Sequence, residues 1–149
     1  MTVQHILIAF HIIASALWVG GVFMNAFTVW PTARDLQMGK GFPLEFLAME
    51  SKRIAPWLYV GAATILVSGI ILIGLHPPQE PLEFWLVSAK GVAFAIMIGN
   101  TLYGTLVTWP APQFSTSNEA WKLWRGYGIR AYITFGCGIV AFVMGTVLR

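Results

Sequence analysis

Charge is what this sequence has least of. Nine lysines and arginines and six aspartates and glutamates amount to 10% of 149 residues, against roughly 25% in an ordinary soluble domain. A chain of single-domain length cannot cover a water-facing surface with so few, so a soluble enzyme is excluded. Disorder, which needs high charge and few aromatics, is excluded by the same numbers, since 14% of the residues are aromatic. Cysteine is almost absent as well. Cys137 stands alone, which rules out a disulfide framework or a paired-cysteine metal motif and leaves it a packing role between Gly136 and Gly138. The net charge of +3 is too small and scattered for a nucleic-acid partner. Nor is there a phosphate-cradling glycine loop, a carboxylate pair or a Ser/His/Asp arrangement. Asp35, Glu45 and Glu50 all fall in one polar connection.

What the sequence has is apolar length. Hydrophobic residues make up 57% of it and the mean hydropathy is +0.71. Four segments, 6–30, 57–75, 84–109 and 127–148, each approach or exceed the ~20 apolar residues that cross the hydrocarbon as a helix. They are too long and continuous for barrel strands. The first has no Lys or Arg in its leader and no small-residue cleavage site, so it is expected to remain as a helix rather than be removed. The expectation is an all-α, integral membrane four-helix bundle of one domain.

An even number of spans puts both termini on one side. Arg34, Lys40, Lys52 and Arg53 lie in the connection 31–56, and Lys122 and Arg125 in 110–126. The 76–83 turn and the N-terminus have neither Lys nor Arg. The positive-inside rule therefore places the two long connections in the cytoplasm and both termini on the outer, periplasmic side, with Arg149 dissenting. Trp30, Trp57, Trp85, Trp109, Trp121 and Trp124 fall at the span ends, as an interfacial belt requires. Pro77 and Pro78 make a tight outer turn, and Pro110 and Pro112 end the third span. The stretch after Pro43, with Leu44, Leu47 and Ile54 among charged residues, reads as a short helix on the inner surface.

Ionisable groups inside the bilayer cost about 2.5–3.5 kcal/mol each on insertion scales and are functional candidates by default. His11 and Lys90 enter from the same side and lie at one level, each roughly 8–9 Å deep at 1.5 Å per residue. His76 caps that region at the outer end of the second span. Arg130 enters from the other side and reads as an interfacial snorkeller. Helical spacing puts His11, Ser15, Trp18, Val22 and Asn25 on one stripe and Lys90, Phe94, Met97 and Thr101 on another, both facing the bundle. His5 lies well off that face.

A histidine at this depth has three readings. It can be an axial ligand to haem iron, with Ser15, Trp18 and Phe94 against the macrocycle and Gly20 and Gly21 leaving room for it. It can bind copper together with His76 and with Met97 or Met144. Or it can hydrogen-bond a neighbouring helix and do nothing more. Lys90 is either a functional group or a snorkelling lysine, and the methionines are otherwise core filler.

The run His11-Ile-Ile-Ala-Ser-Ala-Leu-Trp18-Val-Gly20-Gly21 resembles the opening helix of the copper-resistance D (CopD) family. Pro31, Ser68-Gly69 and Lys90 extend the likeness. The length, the four-span layout and the His11/Lys90 pair are also similar to the related HemJ-type protoporphyrinogen oxidases of the bacterial inner membrane. That resemblance implies a b-type haem held by His11 and an essential Lys90. Lys90 would then be the catalytic residue, as a second ligand or as the partner of a porphyrin carboxylate. The implied role is redox, by electron transfer or by oxidation of a porphyrinogen drawn from the lipid, with a porphyrin or a quinone-like molecule as partner. The CopD likeness implies instead copper binding or transport through a metal site of His11 and His76. A cofactor-free structural subunit, self-associated or within a larger membrane complex, is the third expectation.

A reporter domain fused after Arg149 should read as periplasmic, and cytoplasmic activity from that fusion would reverse the orientation and with it the outer placement of His11 and Lys90.

Overall fold

The structure, a computed structural model, describes residues 3–36 and 43–147 and is helical almost throughout, with no strand among the described residues. Lys40, Leu148 and Arg149, used above for topology and span ends, lie outside the described residues. Helix α1 (Val3–Met24) runs through one wide π turn (Asn25–Val29) into α2 (Trp30–Leu36), making a single rod. Helix α3 (Leu44–Leu75) returns, and α4 (Pro81–Tyr103) runs through a second wide π turn at Gly104–Thr108. A short 3₁₀ turn (Ala111–Phe114) then leads into α5 (Ser117–Val147). The chain is an all-α integral membrane protein with four helical rods long and apolar enough to span a bilayer.

The rods measure 34, 32, 28 and 30 residues. At 1.5 Å per residue that is roughly 42–51 Å, well beyond a hydrocarbon core of about 30 Å. The end that carries Val3, the 76–80 turn and Val147 is called upper here, and the end with the two long connections lower. Each rod projects past the apolar layer, and most of the additional helix is at the lower end. Outward-facing positions are apolar: Leu17, Val60, Ile70, Val92 and Val143 are each more than half exposed, the inverse of a soluble surface and the pattern that lipid contact requires.

The helices begin and end where local chemistry dictates. At the start of α4, Glu80 and Glu83 form a capping box and Pro81 occupies the first turn, where its missing N–H costs nothing. At the start of α5, the Thr116 hydroxyl donates to Glu119 at 2.7 Å and its backbone N–H to the same oxygen at 2.9 Å. These signals start the last two helices three and ten residues before the positions expected from hydropathy alone.

A larger difference concerns α3. The separate surface helix expected after Pro43 is instead the first part of one continuous helix that carries Pro56 in its interior. Pro56 removes the hydrogen bond to the Lys52 carbonyl, a defect that ordinarily ends a helix. Leu47 offsets it, for this side chain is fully buried with Val29, Ala33 and Trp124 and is packed by Phe46, Trp30, Trp109 and Trp121. Four of the six tryptophans expected in a belt thus converge on one lower cluster. Only Trp57 and Trp85, 76% and 70% exposed, face outward as belt residues do.

In the bundle α1 packs most closely on α3, α4 on α5, and α1 also crosses α5. Midway along, Trp18, Ala62 and Met97 form a second buried cluster, flanked by Phe94, Val19 and Cys137. Cys137 is packing, as expected. Of its neighbours, only Gly138 is a close-contact glycine: a Cβ there would meet Val19 at 2.9 Å and Met97 at 3.1 Å, whereas one on Gly136 would meet nothing.

The tightest glycine is Gly128, where a Cβ would lie 2.6 Å from the Trp30 indole. Gly128→Ala should therefore destabilise the bundle by about 1–3 kcal/mol through overpacking, despite alanine's better helix propensity. Gly136→Ala, into open space, should be neutral or slightly stabilising. Thermal unfolding in detergent, followed by tryptophan fluorescence, measures both, and equal behaviour of the two variants would contradict the packing described.

Candidate functional site

Polar side chains occupy two layers inside the bundle, above and below the Trp18–Ala62–Met97 cluster. The upper layer holds the residues singled out by the sequence. His11, on α1, is half-buried and its Nδ1 lies 2.7 Å from Ser68 Oγ on α3. Ser68, itself 3% exposed, has one hydroxyl proton and donates it to the Thr64 carbonyl one turn earlier. Toward His11 it can therefore only accept. The Nδ1–H tautomer is the one that satisfies both bonds of the Ser68 hydroxyl, and in it Nε2 keeps its lone pair. This is the arrangement in which a second partner orients a histidine for metal ligation through the other nitrogen. Gly69 allows the close approach, since a Cβ there would stand in contact with the ring at 3.5 Å from Cε1.

Lys90, on α4, is half-buried and directed at α5, with Nζ 3.4 Å from where a Cβ on Gly145 would stand. It has neither an ion pair nor a hydrogen bond among the described residues. His11 stands eight residues from the upper start of α1 and Lys90 nine from the upper start of α4, a similar rise at 1.5 Å per residue. Trp18 and Phe94 meet one layer lower, ring centroids 5.5 Å apart, and the buried Trp18 Nε1 has no acceptor. Ser15, expected beside a cofactor, donates its hydroxyl to the His11 carbonyl at 2.7 Å and is satisfied within its own helix.

His76 is elsewhere. It is exposed at the upper end of α3, where its Nε2 lies 3.4 Å from Gln4 Nε2. The eight residues from Ser68 to His76 rise about 12 Å along α3, so the structure does not bring His76 to His11. Met97 is buried in the middle cluster. Among the described residues no group of three His, Cys, Asp or Glu side chains is placed to hold a metal ion.

Of the lower layer, sequence reasoning turned Asn25 and Thr101 toward the bundle but missed Glu50, Asn100, Tyr127 and Thr134, and with them the layer itself. Asn25 of the first wide turn donates to the Tyr127 hydroxyl, Asn100 to Thr134 at 3.1 Å, and Arg130 to Thr108 at 2.6 Å. The Arg130 guanidinium also stacks 4.6 Å from the Tyr103 ring centroid, so Arg130 is not a snorkelling side chain but is held within the bundle. Glu50, expected in a solvated connection, is half-buried on α3 with its Oε1 fully enclosed. The available signal was the 3.6-residue period: Leu47, Glu50 and Ile54 share one helical face, and Asn25, Asn100 and Thr134 interrupt otherwise apolar spans.

The chain matches no family model, and neither the curated proteins nor the solved structures yield a match. The likeness to the CopD and HemJ-type families thus rests on the residues quoted for it.

The histidine geometry can be tested without any ligand. In ¹⁵N-histidine-labelled protein, His11 should show the Nδ1–H tautomer, and Ser68→Ala should convert it to a mixture while lowering stability by about 0.5–1.5 kcal/mol, the net worth of one such hydrogen bond. An Nε2–H tautomer in the unsubstituted protein would remove the argument for a free Nε2.

Proposed function

We propose that this protein is a haem b protein of the bacterial inner membrane with a redox role, and that His11 is the axial ligand in the outer half of the bundle. The observation that supports this most is the His11–Ser68–Thr64 relay, which leaves one imidazole nitrogen free to coordinate in an otherwise apolar setting. A bound haem would supply one-electron chemistry; the protein's part is to hold and tune it. His11 would hold the iron through Nε2, and its bond to Ser68 would fix the ring. Lys90 serves as a second ligand or, as an ammonium, pairs with a carboxylate of the porphyrin. Its lack of any protein partner is what supports that role, since an unpaired ammonium in the bilayer is costly. Trp18 and Phe94 form the apolar floor, and the Trp18 indole N–H is a donor still without an acceptor. The substrate side of the reading, a porphyrinogen-like molecule from the lipid or a quinone-like electron partner, fits the membrane location and the family resemblance.

Copper binding by His11 and His76 has less to support it, because His76 stands about two helical turns along α3 from Ser68, the residue that holds His11. One protein nitrogen suffices for a haem.

Reconstitution of the detergent-purified protein with haemin tests the proposal. A Soret band should form with the unsubstituted protein and be lost in His11→Ala, which still inserts and folds. Ser68→Ala should bind about 10–100-fold more weakly, the usual effect of losing an orienting partner, and His76→Ala should match the unsubstituted protein. Lys90→Met should weaken retention or shift the midpoint potential, and Lys90→Arg should not restore it fully, because a planar guanidinium does not replace a compact ammonium. Unchanged haem binding in His11→Ala would overturn the assignment, and no binding in any form would leave the structural-subunit reading.

A further inference from the structure

Below the middle cluster, between α3 on one side and α4 and α5 on the other, lies a cavity of about 60 Å³. All four rods contribute to it: Asn25 from the first, Glu50, Ser51 and Tyr59 from α3, Asn100 and Thr105 from the third, and Tyr127, Arg130 and Thr134 from α5. Both wide turns border it, through Asn25 and through Gly104 and Thr105. Turns of this type recur at functional sites. Lys52 and Arg53, exposed next to Glu50 on α3, mark the lower interface, so the cavity begins at that interface with Glu50 and Ser51. Along α5 it extends from Tyr127 to Thr134, about 10 Å at 1.5 Å per residue. It stops beneath Trp18 and Met97.

Three polar atoms on its walls are buried with no hydrogen-bond partner: Glu50 Oε1, Asn25 Oδ1 and Arg130 Nε. Two are acceptors and one is a donor. The carboxylate and the guanidinium line one cavity, yet no ion pair joins them among the described residues. Leaving each such group unsatisfied in a membrane costs several kcal/mol. Water answers all three, being donor and acceptor at once, and a cavity needs only about 10–15 Å³ of this measure to hold one molecule. The space is sufficient for several.

We propose that this cavity is a hydrated proton-binding site, in which Glu50 exchanges a proton with water on the side of the long connections and Arg130 acts on it through bridging water. In the exchange a water-borne proton is taken up by a Glu50 carboxylate oxygen to give the neutral carboxyl, and the reverse step returns it to water; nothing is oxidised or reduced. The groups that face Glu50 are Tyr127 and Arg130 from α5 and, on its own helix, Tyr59, whose hydroxyl is bonded to Thr105 at 2.6 Å. The first and third rods present only the amides Asn25 and Asn100 and the hydroxyls Thr101 and Thr105. Arg130 is the one cation in the lining and favours the ionised carboxylate. The site is independent of His11 and of any haem.

Infrared titration of the protein in proteoliposomes, without haem, decides it. A protonated-carboxyl C=O band should titrate in the unsubstituted protein, disappear in Glu50→Gln, and shift in frequency when the vesicles are transferred to D₂O at the same pH. Arg130→Met removes the one cation of the lining and should raise the midpoint of that band. Arg130→Lys keeps the charge and should leave the midpoint near its original value. The absence of any titrating C=O component that is lost in Glu50→Gln, or a lost component that does not exchange in D₂O, overturns the proposal. So does an Arg130→Met midpoint equal to that of the unsubstituted protein. The first two measurements need only the unsubstituted chain and Glu50→Gln, so they stand even if Arg130→Met fails to fold.

Discussion

Inside a bilayer a polar group has no water to turn to, and this one constraint arranges the molecule. The hydroxyls meet it locally. Ser15, Thr64, Ser68, Thr101, Thr105 and Thr134 each donate to the carbonyl four residues earlier in their own helix, a solution that needs no partner helix. Imidazole, carboxamide, ammonium, guanidinium and carboxylate cannot be satisfied in that way. They gather where rods face one another, His11 and Lys90 above the apolar middle, Asn25, Glu50, Asn100 and Arg130 below it. The hydroxyls then acquire a second use: having given their proton to the backbone, they become fixed acceptors. That is how Ser68 orients His11, and how Thr105 and Thr134 receive Tyr59 and Asn100.

The backbone is shaped to the same end. On α1 the buried stripe runs Trp18, Val22, Asn25 and continues as Val29 and Ala33 in α2. Repeated steps of four drift off the face of a 3.6-residue helix. The wide turn at Asn25–Val29 takes up an additional residue, and so it keeps Val29 and Ala33 against Leu47 and Trp124. The second wide turn does the equivalent work in the third rod, where Gly104 admits the Tyr127 ring, to which a Cβ would stand at 3.2 Å. The lower aromatic cluster is thus what both irregular turns serve, and the cavity lies directly above it.

Much of this was legible in the sequence. Four apolar runs and the near absence of charge define four spanning rods, and the i, i+3/i+4 stripe correctly turned Trp18, Val22 and Asn25 inward and set His11 level with Lys90. What hydropathy could not show was where helices extend beyond the membrane, because capping at Glu80 and Thr116 and the burial of Leu47 decide that, and each is a local contact rather than a run of composition. Pro56 stands where the expected connection ended, and in α3 tertiary packing outweighs the hydrogen bond it removes. Arg130 and Glu50 were read as surface charges because sequence depth was counted from the apolar run. Their place in the bundle follows from which face they occupy. His76 was legible as the residue at the upper end of the second span, but not its rise of about 12 Å along α3 from Ser68, the partner of His11.

The apolar middle has a consequence for chemistry. Trp18, Ala62 and Met97 are packed among Val19, Ile65, Phe94 and Cys137, with Val19 and Met97 closing against Gly138. Interiors packed in this way exclude water, which requires two or more polar partners to be retained. Trp18 Nε1 there is a single donor without an acceptor, and Cys137 adds only a weakly hydrogen-bonding thiol. No water wire can therefore run from the lower cavity to His11 without opening the bundle. The lower cavity and the His11 level are thus held apart by the packed middle, although the first three rods each carry polar residues of both layers: His11 and Asn25, Ser68 and Glu50, Lys90 and Asn100.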